Sequence, residues 1–145
     1  MTTTPKEITG RCYCGAVSLR SGTAPLTVAY CHCDDCRRWT GGPVGAFAAF
    51  RENDLMATPD QGDGVSHTPG VSRWNCAECG SPLMARFDYL PGQVYVPLGV
   101  LDQAEDLPPQ LHCHAGSCYS WLRIEDGLDR AERSGRDQLN EAQDR

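Results

Sequence analysis

No stretch of the chain approaches the roughly 18 consecutive apolar residues of a membrane span, so no membrane-spanning helix is expected in it. Lysine is nearly missing: the thirteen basic residues are twelve arginines and Lys6. Net positive charge is missing as well, with a formal charge of −6 and a pI near 5.1. A nucleic-acid footprint needs a basic face, so no nucleic-acid partner is expected. A few local arginines remain suited to a small carboxylate, because a guanidinium binds one bidentately. Met1–Gly10 lacks an apolar core and a small-residue cleavage pattern, so the expectation is no export signal and a cytoplasmic, reducing location. Apolar residues make up 40% of the chain and aromatics 8%, a lean supply for a core. A chain of 145 residues still fits one domain that buries about two thirds of its unfolded surface.

What the chain has in quantity is punctuation and thiols: 15 Gly, 10 Pro and 9 Cys. Apolar alternation predicts short strands at 16–20, 26–30, 45–50 and 93–100, with Pro97 marking an edge or bulge, and a last strand over 119–124. Residues 53–70 read as a loop with a short strand near Val65, and Cys33–Trp39 as a helical turn ended by Gly41-Gly42. The expected class is all-β with many short connections. The expected layout is a loose leader at 1–7, one zinc-binding domain at 8–128, and a charged, flexible tail at 129–145.

The cysteines fall in clusters: Cys12-x-Cys14-Gly15, Cys31-His32-Cys33-x-x-Cys36 and Cys76-x-x-Cys79-Gly80, with Cys113 and Cys118 apart. In a reducing compartment such clusters bind metal more often than they form disulfides. Two thiolates on a tight turn build half of a tetrahedral zinc site, and the trailing glycines permit the positive φ such turns need. Cys12, Cys14, Cys76 and Cys79 therefore make a closed structural site. Cys31, Cys33 and Cys36 give three thiolates with no evident fourth partner, the pattern of a catalytic site with an open position. His32, His112 or Cys113 are the alternatives that would complete it as a structural site. Three thiolates favour a soft substrate sulfur over hydroxide. His32, between two ligands in extended chain, is expected to point away from them. Arg37 and Arg38 follow at once and are candidates to offset the thiolate charge or hold a substrate carboxylate.

The motifs G-x-C-x-C-G at Gly10–Gly15, C-H-C-x-x-C-R at Cys31–Arg37 and C-x-x-C-G-S at Cys76–Ser81, in that order, resemble the glutathione-dependent formaldehyde-activating enzyme family, which includes centromere protein V. Leu98-Gly99-Val100-Leu101-Asp102, Pro109 with His112, Trp121 and Ile124–Leu128 extend the resemblance over about 10–128. The resemblance implies a β-tent of short coiled antiparallel sheets and two zinc ions. The structural ion would sit on Cys12, Cys14, Cys76 and Cys79, and the catalytic one on Cys31, Cys33 and Cys36. It further implies a carbon–sulfur lyase that joins glutathione to formaldehyde, giving S-hydroxymethylglutathione. The competing expectation is a non-catalytic, zinc-stabilised module that recognises a protein partner.

Overall fold

The computed structural model describes residues 5–144. Most of its regular structure is strand. Ile8–Arg11 (β1), Ser18–Ser21 (β2) and Leu55–Thr58 (β5) form a small antiparallel sheet in the order β1-β2-β5. Thr27–Cys31 (β3), Gly45–Arg51 (β4), Val71–Asn75 (β6), Pro82–Phe87 (β7), Gln93–Pro97 (β8), Leu111–Cys113 (β9) and Asp129–Arg130 (β10) form a seven-stranded mixed sheet in the order β10-β9-β3-β4-β8-β7-β6. Two helices, Asp34–Thr40 (α1) and Arg136–Asp144 (α2), complete the fold. The all-β expectation therefore holds.

The central strands are buried on both faces, and their residues alternate between two separate cores. Val28, Ala48, Phe50, Val94 and Val96 point into one core, with Ile8, Leu19, Cys12 and Cys76. Their neighbours Ala29, Phe47, Ala49 and Tyr95 point into the other, with Cys36, Cys113, Leu111 and Leu139. Because side chains alternate across a strand, one sheet serves two hydrophobic clusters and puts one cysteine group on each side.

Several expectations need correction. The strand at 93–100 stops at Pro97, and Leu98–Val100 turn as a 3-10 segment. Proline brings no N–H to the ladder, so pairing with Phe47 ends there. No strand forms over 119–124. The loop read at 53–70 contains β5, while near Val65 there is a single bridge to Arg73. The tail is not a loose appendage over its described part. β10 pairs with β9, and α2 buries Leu139 and Ala142, each about 4% exposed. Four of the seven leader residues, 1–4, lie outside the described residues.

Candidate metal centres

The first centre lies where β1 and the β6–β7 hairpin meet. Sγ atoms of Cys12, Cys14, Cys76 and Cys79 all lie within 4.8 Å of one another. Zinc–sulfur bonds of about 2.3 Å put the edges of a tetrahedral site near 3.8 Å. The sulfurs of Cys12 and Cys14 are 3.6 Å apart, and those of Cys14 and Cys76 are 3.9 Å apart. The spacing fits zinc. Both turns close on glycine in the left-handed region, Gly15 at φ 82° and Gly80 at φ 79°. Backbone amides of Val17 and Ala16 donate to Cys12 and Cys14 Sγ, placing donors where thiolate charge would sit. A register shift at Trp74/Asn75 turns β6 into the second knuckle, and Asn75 Nδ2 donates to the Gly80 carbonyl across it. Hydrogen bonds from Ser81 pull the Cys79 thiol down to about 5.

The second cluster lies on the other face, where β3 runs into α1. Cys31 ends the strand; Cys33 caps the helix, its sulfur accepting from the Cys36 N–H at 3.3 Å. The Cys31 and Cys33 sulfurs are 3.4 Å apart. Hydrogen bonds within the cluster lower the Cys33 thiol and raise those of Cys31 and Cys36, so Cys33 is the first of the three to lose its proton. The tight metal-sized group here is Cys31, Cys33 and His114, within 4.8 Å of one another. Cys36 does not lie within that limit of all three, but its side chain lines the same cavity. That cavity, of about 50 Å³, is walled by Phe47, Phe87, Tyr95 and Leu139 together with Cys113 and His114. Burial pushes the Cys113 thiol up to about 12, so it stays protonated.

His32 turns away from the thiols, and its Nε2 lies 2.8 Å from His112 Nδ1. His112 Nε2 lies 2.9 Å from the Asp126 carboxylate. Asp126 accepts only, so His112 donates to it from Nε2 and accepts from His32 Nε2. The His112 hydrogen bond holds the Asp126 carboxyl down at about 2. His112 thus has both ring nitrogens engaged, and His32, whose buried Nδ1 has no partner, does not join the metal-sized group. The two arginines part company. Arg37 donates from Nη1 to the His32 and Ser117 carbonyls and lies 4.1 Å over the Tyr119 ring, which ties its guanidinium to the chain, while its buried Nε has no partner. Arg38 pairs with Asp34 at 2.9 Å on the exposed face of α1. Neither guanidinium lines the cavity.

Sequence reasoning did not select His114 for the second cluster. It lies 81 positions after Cys33, and only the parallel pairing of β9 with β3, Cys113 opposite Cys31, brings it there.

With the geometry in place, comparison with known proteins gives three results. Residues 7–117, well over half of the chain, match the family model for glutathione-dependent formaldehyde-activating enzymes. An uncharacterized lyase of Schizosaccharomyces pombe is 29% identical over 87 residues, 60% of this chain. The match spans 61% of that lyase's own length. A crystal structure of a Rhodobacter sphaeroides protein superposes with a TM-score of 0.54 at 18% identity, over 85% of this chain and 99% of that one. At that identity the superposition speaks to fold alone.

Proposed function

The chain belongs to the glutathione-dependent formaldehyde-activating enzyme family, and from that premise we propose that it is a zinc-dependent carbon–sulfur lyase-type enzyme joining a small, glutathione-like thiol to an aldehyde. The observation that carries this reading is the small apolar cavity opening onto the Cys31, Cys33 and Cys36 side chains. Cys31, Cys33 and Cys36 would hold the zinc, which when bound would supply a centre that favours the thiolate form of an incoming thiol. Everything else falls to the protein. Phe47, Phe87, Tyr95 and Leu139 exclude bulk water from the carbonyl. A confined space of about 50 Å³ beside the thiols suits a small aldehyde better than a bulky one. The sulfur attacks the carbonyl carbon, a C–S bond forms, and the thiol's proton ends on the former carbonyl oxygen. The gain is mainly proximity of two small partners. The body of a glutathione-sized thiol stays outside the cavity, where Arg38 is the arginine open to its carboxylates.

The test is cobalt substituted for zinc, with exchange NMR on the same protein. Adding glutathione should change the cobalt absorption. Thiol–aldehyde interconversion should run faster with wild type than with Cys33→Ser. A cobalt spectrum indifferent to every thiol, with interconversion at the buffer rate, would favour the non-catalytic binding module.

A further inference from the structure

We infer that the His114 imidazole is the resting fourth ligand of the second metal centre, occupying the position that a substrate thiol takes by displacing it. The inference rests on the reading of Cys31, Cys33 and Cys36 as a metal site and adds to it a residue from the opposite end of the sheet.

The topology makes the meeting. β3 and β9 are parallel neighbours, so the chain leaves both at the same end of the sheet. Cys31 and Cys33 follow one strand and His114 follows the other, and their ligand atoms come within 4.8 Å of one another. The backbone of His114 is unusual. At φ 52° and ψ 41° it is the one non-glycine residue in the left-handed region among the described residues. A β-carbon is crowded there, and a conformation of that kind persists only where its surroundings impose it. Here they do: the amides of His114, Ala115 and Gly116 donate in turn to the carbonyls of Arg133, Ala131 and Glu132. The C-terminal segment thus clamps the turn that aims the ring at the thiols.

The other candidates lie outside the metal-sized group, the unpartnered Nδ1 of buried His32 included. His32 and His112 bond each other, and His112 also bonds Asp126. Cys113 is buried against Gly135, where an added β-carbon would lie 2.9 Å from its sulfur. Among the described residues no hydrogen bond engages the His114 ring. Three sulfurs and one neutral nitrogen suit zinc. The neutral nitrogen is also the ligand that an anionic sulfur can replace at a soft centre without opening the cysteine cage.

The experiment uses the full chain loaded with cadmium-113 and a proton–cadmium correlation spectrum. One cadmium should couple to β-protons of Cys12, Cys14, Cys76 and Cys79. The other should couple to those of Cys31, Cys33 and Cys36 and to a ring proton of His114, and glutathione should abolish that ring coupling alone. His114→Asn, which tolerates the left-handed backbone, should keep the fold and weaken the second metal by about tenfold or more, the scale of lost support at a metal site. It should also bind glutathione at the cobalt-loaded centre more tightly than wild type. A residue with a merely structural role would not move those two affinities in opposite directions. A second cadmium bound to Cys31 and Cys33 without any His114 coupling overturns this inference alone. A ring coupling that glutathione leaves intact overturns the displacement. No second cadmium at all overturns the metal reading of the cluster, and the inference with it.

Discussion

Cys12 and Cys76 are 1% and 3% exposed, so a serine at either position puts a hydroxyl into a site built for sulfur. Cys76→Ser leaves three thiols around a metal whose binding supplies roughly 10 kcal/mol or more of folding free energy in small zinc domains. It should yield insoluble protein or protein without a cooperative melt; a melt near the wild-type temperature would refute the structural assignment. The arginines give a different test. Arg37 binds two backbone carbonyls, so Arg37→Ala should lower the melting temperature through the loss of these charge-assisted bonds, of about 1.5–3 kcal/mol each at most. Arg38 is open to an anion, so Arg38→Ala should weaken glutathione binding more than binding of an uncharged thiol, with the fold unchanged. Equal losses for both thiols by calorimetry would remove Arg38 from the site. His32 carries a pH signature. Burial first, then the neighbouring His112, Arg130 and Arg37, lower its value below 6.5. A folded value below the unfolded one means stability that is present above about pH 6.5 and lost as pH falls below it. Urea unfolding at pH 7.5 and 5.5 should therefore show a smaller acid loss in His32→Gln than in wild type; identical losses would mean that His32 takes a proton freely in the fold.

At the scale of elements, the C-terminal segment matters most. Leu139 of α2 sits in the same core as Phe47, Tyr95 and Cys36, and it walls the cavity beside the second cluster. Leu139→Ala should cost about 2 kcal/mol, the low end for a buried leucine at the rim of a core. Deleting residues 129–145 should cost more, because it also uncovers β9 and frees the turn at His114. A chemical-denaturation midpoint unchanged by the deletion would show that the helix contributes nothing. The charged composition hid this element: Glu125–Arg145 holds mostly polar residues, and Leu139 and Ala142, three apart, are too sparse a stripe to read as a core face. β1 was hidden differently, since Ile8 is buried beside polar Thr9 and the cysteine motif that follows draws attention to itself. The central strands were legible because β-branched and aromatic residues recur there, and both cysteine knuckles were legible because their ligands are close in sequence. His114 was not, because strand pairing alone brings it to cysteines some eighty positions away, and Asp126 was not, because nothing in the spacing marks His112, 14 positions earlier, as its partner.

In the molecule as a whole the seven-stranded sheet separates two cores, and each cysteine cluster belongs to one of them. The two clusters are thus expected to differ in what their metal does for the fold. The first joins the start of the small sheet to the far hairpin of the large one, residue 12 to residue 79, and its ligands come from separate elements. Losing a metal held there would open the contact between the sheets. The second takes its cysteines from one local turn, already held by the Cys33 cap on α1 and by the backing of β9. A bridge also runs between the two sites: Trp39 of α1 donates its indole N–H to Asn75 beside the first knuckle. Stepwise chelation should consequently remove the second metal first. Native mass spectrometry should show a one-zinc species that keeps wild-type circular dichroism and a melting temperature lowered by only a few degrees, on the scale of 1 kcal/mol or less. Removal of the remaining zinc should abolish the cooperative transition. Cys33→Ser should resemble the one-zinc species from the outset. If both ions instead leave together with the fold, the second cluster is as structural as the first, and the thiol chemistry proposed for it loses its dispensable centre.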